Sequence, residues 1–194
     1  AVPRGQPLMV SLAGQPFIDT RLSFHSFLPK NLSSEVCTKV VNHWIEHLRA
    51  APELHDKVEF DVAITTYSFD IDGKIDSLIG DSLNVQEKAE FKQAHLKQTR
   101  QLLLGETSGS LQNALQSIEE LKVRQVERKR NINRTNISSL FEMISECIEF
   151  GTIPFSILAR HGFIARTILF SLLKIGIITK SEMNQFLESI ETVA

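Results

Sequence analysis

The spacing of apolar residues predicts extended structure near the start of this chain and helices after it. Residues 7–27 read as two extended runs, Leu8-Met9-Val10-Ser11-Leu12 and 17–27, separated by the turn residues Gly14-Gln15-Pro16 and together predicting a hairpin. In the second run Ile18, Thr20, Leu22 and Phe24 alternate with Asp19, Arg21, Ser23 and His25, so a strand would carry one apolar and one polar row. Pro29 ends it. Asn31 and Ser33 offer caps for a helix to about Ala51, where Val36, Val40, Trp44 and Leu48 recur every fourth residue and make a stripe for the core. Val58, Phe60, Val62 and Ile64 alternate with Glu59, Asp61, Ala63 and Thr65, which predicts a third strand over 57–69 paired with the hairpin. Residues 70–81, containing Asp72-Gly73, read as a loop.

From Asn84 onward the pattern is helical. Asn84 and Glu87 have capping-box spacing, a helix runs to Leu104, and Gly105 stops it. Beyond a linker over 105–109, a helix from Ser110 becomes strongly charged between Glu119 and Arg134, which predicts a solvated end. Helices over 136–150, 154–175 and 181–193 follow, punctuated by Gly151 and Gly176, with Thr179 and Glu182 as a second capping box. Thr152 is placed to cap the helix that Pro154 starts. Strands first and helices afterwards give an α+β class: a predominantly helical domain with a small N-terminal antiparallel sheet of about three strands. We expect one domain over 1–194, with a strand-containing part at 1–83 and a helical part at 84–194.

Composition narrows the functional classes. With 194 residues and 42% hydrophobic content the chain can bury a core, and 21 Lys+Arg against 23 Asp+Glu leave a formal charge of −2. No global field draws nucleic acid or an anionic membrane, so any anion site is local. Cys37 and Cys147 stand apart with no metal-binding spacing, which fits a reducing, cytoplasmic setting. The start carries no signal-peptide pattern and no Met, which points to an excised piece. Residues 163–178 are the most apolar stretch, yet short and carrying Arg166 and Lys174, and so read as a buried helix.

Standard catalytic signatures do not occur. His43 and His47 share a helix face, but the residues between them, Trp44, Ile45 and Glu46, do not complete HEXXH, and a solvated face explains the pair. The acids from Asp70 lack the Glu that would close a calcium loop. There is neither a glycine-rich phosphate cradle nor a GxSxG nucleophile. Two features remain. On the expected strand, Asp19, Arg21, Ser23 and His25 would project from one face and orient an anionic or polyhydroxylated ligand, or Asp19 and Arg21 would simply pair. In the apolar helix, Arg160 needs a carboxylate such as Glu59, Asp61 or Asp19, a bound anion, or a route to solvent.

The order of several segments carries a resemblance. Asp19-Thr20-Arg21-Leu22-Ser23-Phe24 with Ser26-Phe27-Leu28-Pro29, Leu54-His55-Asp56-Lys57-Val58-Glu59-Phe60, Tyr67-Ser68-Phe69-Asp70, Gly151-Thr152-Ile153-Pro154-Phe155 with Leu158-Ala159-Arg160 and Gly162-Phe163-Ile164-Ala165, and Thr192-Val193-Ala194 follow one another. Together they resemble the middle domain of phosphoenolpyruvate-synthase-like bacterial proteins, a group related to pyruvate phosphate dikinase. The resemblance implies an ATP-grasp-like module before this region and a phosphohistidine module after it, with ATP and magnesium serving the full-length protein. None of the six histidines stands in a Thr-Ser-His or Gly-Gly-Xaa-Xaa-Ser-His context, so the carrier histidine is expected outside this chain. The implied role is to bind or support a small anionic phosphoryl acceptor, with Asp19, Arg21, Ser23, His25 and Arg160 as its residues. The isolated domain is then inactive and holds no cofactor or metal. The alternative is a structural linker without a ligand site.

Overall fold

The computed structural model describes residues 7–104, 110–130 and 137–190. Strands β1 (Met9–Leu12) and β2 (Gln15–Ile18) pair antiparallel, Met9 opposite Ile18 and Leu12 opposite Gln15. Ala13 and Gly14 turn the chain between them at φ 51° and 78°, the left-handed conformation of a two-residue hairpin loop. This ribbon is the one sheet among the described residues, so the protein is mostly helical with two strands rather than three.

The second extended run ends early. Asp19 accepts the Leu22 amide at 2.9 Å and caps α1 (Thr20–Phe27), so residues 20–27 are helical and not a strand. The alternation of Leu22 and Phe24 concealed a second spacing, Phe24 to Phe27 and Leu28, which puts these side chains on one helix face. Helix α2 (Ser34–Ala50) follows the reading closely, with Ser33 as its cap and Val36, Val40, Val41 and Trp44 buried.

The expected third strand does not form. Residues 52–56 make a 3-10 turn, Val58–Val62 a π turn, and no strand follows them among the described residues. Val62, Ala63 and Ile64 are buried consecutively, a demand that alternation does not meet. The expected loop instead contains α3 (Ile71–Leu78), because Ile71, Ile75 and Ile79 recur every fourth residue and all are buried; that packing outweighs the turn tendency of Asp72-Gly73. Helix α4 (Val85–Leu104) opens on the expected capping box: the Glu87 amide donates to Asn84 Oδ1 at 3.0 Å, and the Asn84 amide donates to Glu87 Oε2 at 2.9 Å. Gly105 and the linker lie outside the described residues.

Two units result: Ala1–Arg100 with Thr167–Ala194, and Gln101–Arg166. The first holds the core. Trp44 is 0% exposed and its ring meets Phe24 and Phe91 edge-on, with centroids 5.7 and 6.5 Å apart. Helix α8 (Lys180–Glu188) also belongs here and carries the Thr179–Glu182 capping box; the end of its expected range lies outside the described residues.

The second unit is built on α5 (Ser110–Arg130), α6 (Ile137–Glu146) and the first part of α7 (Ile153–Lys174). Gly151 does not break the chain between α6 and α7, and Thr152 caps nothing; its hydroxyl donates to the Cys147 carbonyl at 3.3 Å. A π turn over Cys147–Thr152 joins the two helices. Pro154 supplies a reason for it, because its ring opposes the carbonyl four residues earlier and a wider turn removes that clash. Gly151 also lets α5 approach closely, since a Cβ there would stand 3.2 Å from Leu121 Cδ2. Arg128 Nη2 donates to Glu146 Oε2 at 2.7 Å, and the Arg124 guanidinium lies 4.3 Å from the Phe150 ring centre. Only Ala114, Pro154 and Ile164 are buried among the described residues of this unit.

The expectation of a buried helix over 163–178 is corrected. Helix α7 ends at Lys174, and within the expected range only Ile164 and Ser171 are buried. The helical run Ile137–Lys174 has 38 residues and is long and apolar enough, by length and composition alone, to cross a bilayer; 11% of its most apolar window is buried.

Candidate functional site

The first unit gathers polar side chains around residues 66–74, of which Thr66, Ser68, Thr99 and Ser171 are buried. Thr66 and Thr99 hydroxyls lie 2.9 Å apart, and Thr99 Oγ1 also accepts the Tyr67 amide at 3.0 Å. Ser171 Oγ accepts the Phe69 amide at 3.2 Å and donates to the Ile168 carbonyl at 2.7 Å. These hydroxyls supply partners to a chain segment that has no strand beside it, as buried backbone requires. His95, fully buried one turn before Thr99, packs against Phe91 with the rings tilted by 51° and centroids 4.4 Å apart.

Asp70 ends the segment and gathers the charges. Its side chain is 7% exposed; Oδ1 accepts Ser68 Oγ at 2.7 Å and faces Lys74 Nζ at 3.5 Å, while Oδ2 meets Lys174 Nζ at 2.9 Å. Burial opposes the carboxylate, but the hydrogen bonds from Lys174 and Ser68 and the charges of both lysines outweigh it and hold its pKa below the usual Asp value. For Lys74 burial prevails over Asp70 and pulls the ammonium pKa down. One carboxylate between two ammonium groups leaves one positive charge in surplus, and Lys74, at 3.5 Å, is the longer of the two contacts. Such a group fixes the segment against α4 and α7 and has donors left for an oxyanion.

Reasoning from sequence quoted Tyr67-Ser68-Phe69-Asp70 but gave it no role. The signal was Ser68 two residues before Asp70 within an apolar stretch, a spacing that suits a local side-chain hydrogen bond.

The residues expected to form a site are distributed differently. Asp19 is spent on capping α1, and Arg21 Nη1 donates to Asn42 Oδ1 at 2.8 Å. On a helix Arg21 and His25 share a side, whereas Ser23 lies across from them, so the single strand face is not formed. Partial burial, with the Arg21 charge contributing, lowers the His25 pKa. Arg160 belongs to the other unit, where burial lowers its pKa. His43 Nδ1 is 2.8 Å from Ser82 Oγ. No group of three or more His, Cys, Asp or Glu among the described residues is arranged to hold a metal.

A concave region of about 300 Å³ runs between α3 and α4. Its charges are matched within it, Lys92 with Asp72 at 2.7 Å and Lys88 with Asp76 at 2.8 Å. Compared with protein-family models, curated proteins and solved structures, the chain matches none.

Proposed function

We propose that this chain is the central domain of a phosphoenolpyruvate-synthase-like phosphotransferase. It supports or binds the acceptor of a phosphoryl group that comes from ATP through a phosphohistidine outside the chain. The ordered sequence segments carry this reading. One observation adds to it: Asp70, which closes the segment Tyr67-Ser68-Phe69-Asp70 of that series, meets both Lys74 and Lys174 and leaves one positive charge in surplus. Oxyanions and carboxylates are the ligands that such a charge suits. In this reading the protein works in the cytoplasm, with an ATP-grasp-like module and a phosphohistidine module as neighbours in the same polypeptide and ATP with magnesium serving the whole.

The linker reading has its own support. Asp19 caps α1 through the Leu22 amide and Arg21 holds Asn42, roles that the fold alone explains. Titration with inorganic phosphate and with pyruvate, followed by amide NMR shifts, separates the two. Saturable shifts at 68–74, at 19–25 or at Arg160 are the expected result of acceptor binding. Absence of saturation with both compounds leaves the linker reading. The coding sequence on either side tests the family itself, since the proposal requires both flanking modules.

A further inference from the structure

Helix α2 carries a histidine pair that the phosphotransfer reading leaves without a role. His43 and His47 stand four residues apart, which sets them about 40° apart around the helix and about 6 Å apart along it. They follow two members of the buried row, Val40 and Trp44, by three residues each, so both imidazoles border the core and are half-buried rather than fully solvated. The helix beneath them is held firmly, because Trp44 packs against both Phe24 and Phe91. His43 is also held from outside α2: its Nδ1 lies 2.8 Å from Oγ of Ser82, in a 3-10 turn over Gly80–Ser82. Lys39, one turn before His43 on the same side, is engaged by Glu35 and by Glu87 of α4, so its charge is compensated.

We infer that His43 and His47 chelate a divalent transition-metal ion of the kind that prefers imidazole, Zn2+ first among them, with water in its remaining positions. Two imidazole nitrogens on a tetrahedral Zn2+ stand about 3.3 Å apart at the usual bond length. Side chains at this helical spacing start from Cβ atoms roughly 6 Å apart and reach that separation by converging. Ser82 supplies what a metal-binding histidine needs behind it. With Nδ1 facing Ser82, the nitrogen of His43 turned to the metal is Nε2; Nδ1 then keeps the proton and donates it to Ser82 Oγ, which fixes tautomer and ring together. Because both ligands stand on a helix that the core already fixes, little ordering remains to be done when the ion arrives. The site has two protein ligands, consistent with no group of three or more His, Cys, Asp or Glu being arranged for a metal among the described residues. With half the ligands of a structural zinc site, its dissociation constant is on the order of 10 μM. Mg2+ and Ca2+, which take oxygen ligands, do not suit it.

Calorimetric titration of the whole untagged chain with Zn2+, and separately with Mg2+, tests the inference; a Cys37→Ser, Cys147→Ser background keeps the thiols from competing. One Zn2+ per chain should bind and Mg2+ should not. His43→Ala and His47→Ala should each weaken binding by about tenfold or more, whereas His55→Ala, which removes an exposed histidine whose Nδ1 faces the Pro52 carbonyl, should leave it unchanged. Ser82→Ala should weaken it by about tenfold although Ser82 does not touch the ion, a loss that its hold on the His43 ring explains. Circular dichroism checks that the variants keep their helices. A second measurement needs no variant of either histidine: imidazole 15N shifts should show Zn2+ at Nε2 of His43 and a proton kept on Nδ1. No saturable binding of Zn2+, equal binding of Mg2+, an affinity indifferent to His47→Ala or to Ser82→Ala, or Zn2+ at Nδ1 of His43 would each overturn it.

Discussion

Asp70 joins three elements through one carboxylate, and its energetics follow from what surrounds it. Because its folded pKa is lowered, its contribution is present above the unfolded Asp value near 4 and is lost as pH falls through the folded value. Asp70→Asn should cost about 1–3 kcal/mol at neutral pH, since Lys74 loses its counter-charge in a half-buried place. The same variant should flatten the acid limb of a stability profile measured by urea denaturation below about pH 4. Lys174 is 64% exposed, so Lys174→Ala should cost under about 1 kcal/mol. Equal losses from the two variants would mean that the pair and not the buried carboxylate carries the effect. Trp44 presents the opposite case, an apolar group read correctly from a four-residue spacing. Trp44→Ala should cost roughly 3–5 kcal/mol by opening a cavity among Phe24 and Phe91, and a loss below about 1 kcal/mol would contradict its place in the core.

Among the elements, those whose local signals agreed were legible. Helix α2 had a cap and a stripe, and α4 and α8 had reciprocal caps, each borne out bond by bond. Asn84→Ala should therefore cost about 1 kcal/mol. Glu87→Gln should keep the amide contact but lose the ion pair with Lys39 of α2, so its destabilisation should fade in high salt while that of Asn84→Ala persists. The misread elements share one cause. At 17–27 and 57–69 a two-residue alternation was present, but a strand also needs a partner, which no local pattern supplies. At 70–81 the turn residues concealed Ile71, Ile75 and Ile79, whose burial decides the structure. The candidate site was harder still. Asp70 and Lys174 are 104 positions apart, and nothing local to either announces the other.

For the whole molecule, burial divides unevenly between the units. The first has the aromatic core, whereas in the second Arg124 and Arg128 of α5 meet Glu146 and Phe150 and few described residues are buried. Amide exchange should be fast over α5 and α6 and slow over α2 and α4, by a wide margin in dilute solution. Uniform protection would show a second core. Incubation with labelled ATP and magnesium should leave the chain unlabelled, and stoichiometric label on any histidine would overturn the assignment of the carrier to another module.

The first unit is also discontinuous along the chain, and this makes its completion a matter of time during synthesis. Ser171 and Lys174, which hold Phe69 and Asp70, are translated about a hundred residues after them, a delay on the order of 5–20 s at cellular elongation rates. Until then Lys74 is the ion-pair partner that Asp70 has at hand among the described residues, and the Phe69 amide awaits the Ser171 hydroxyl. The nascent chain thus passes through a state in which the aromatic core can form while the polar segment beside it is still open to water and to chaperones.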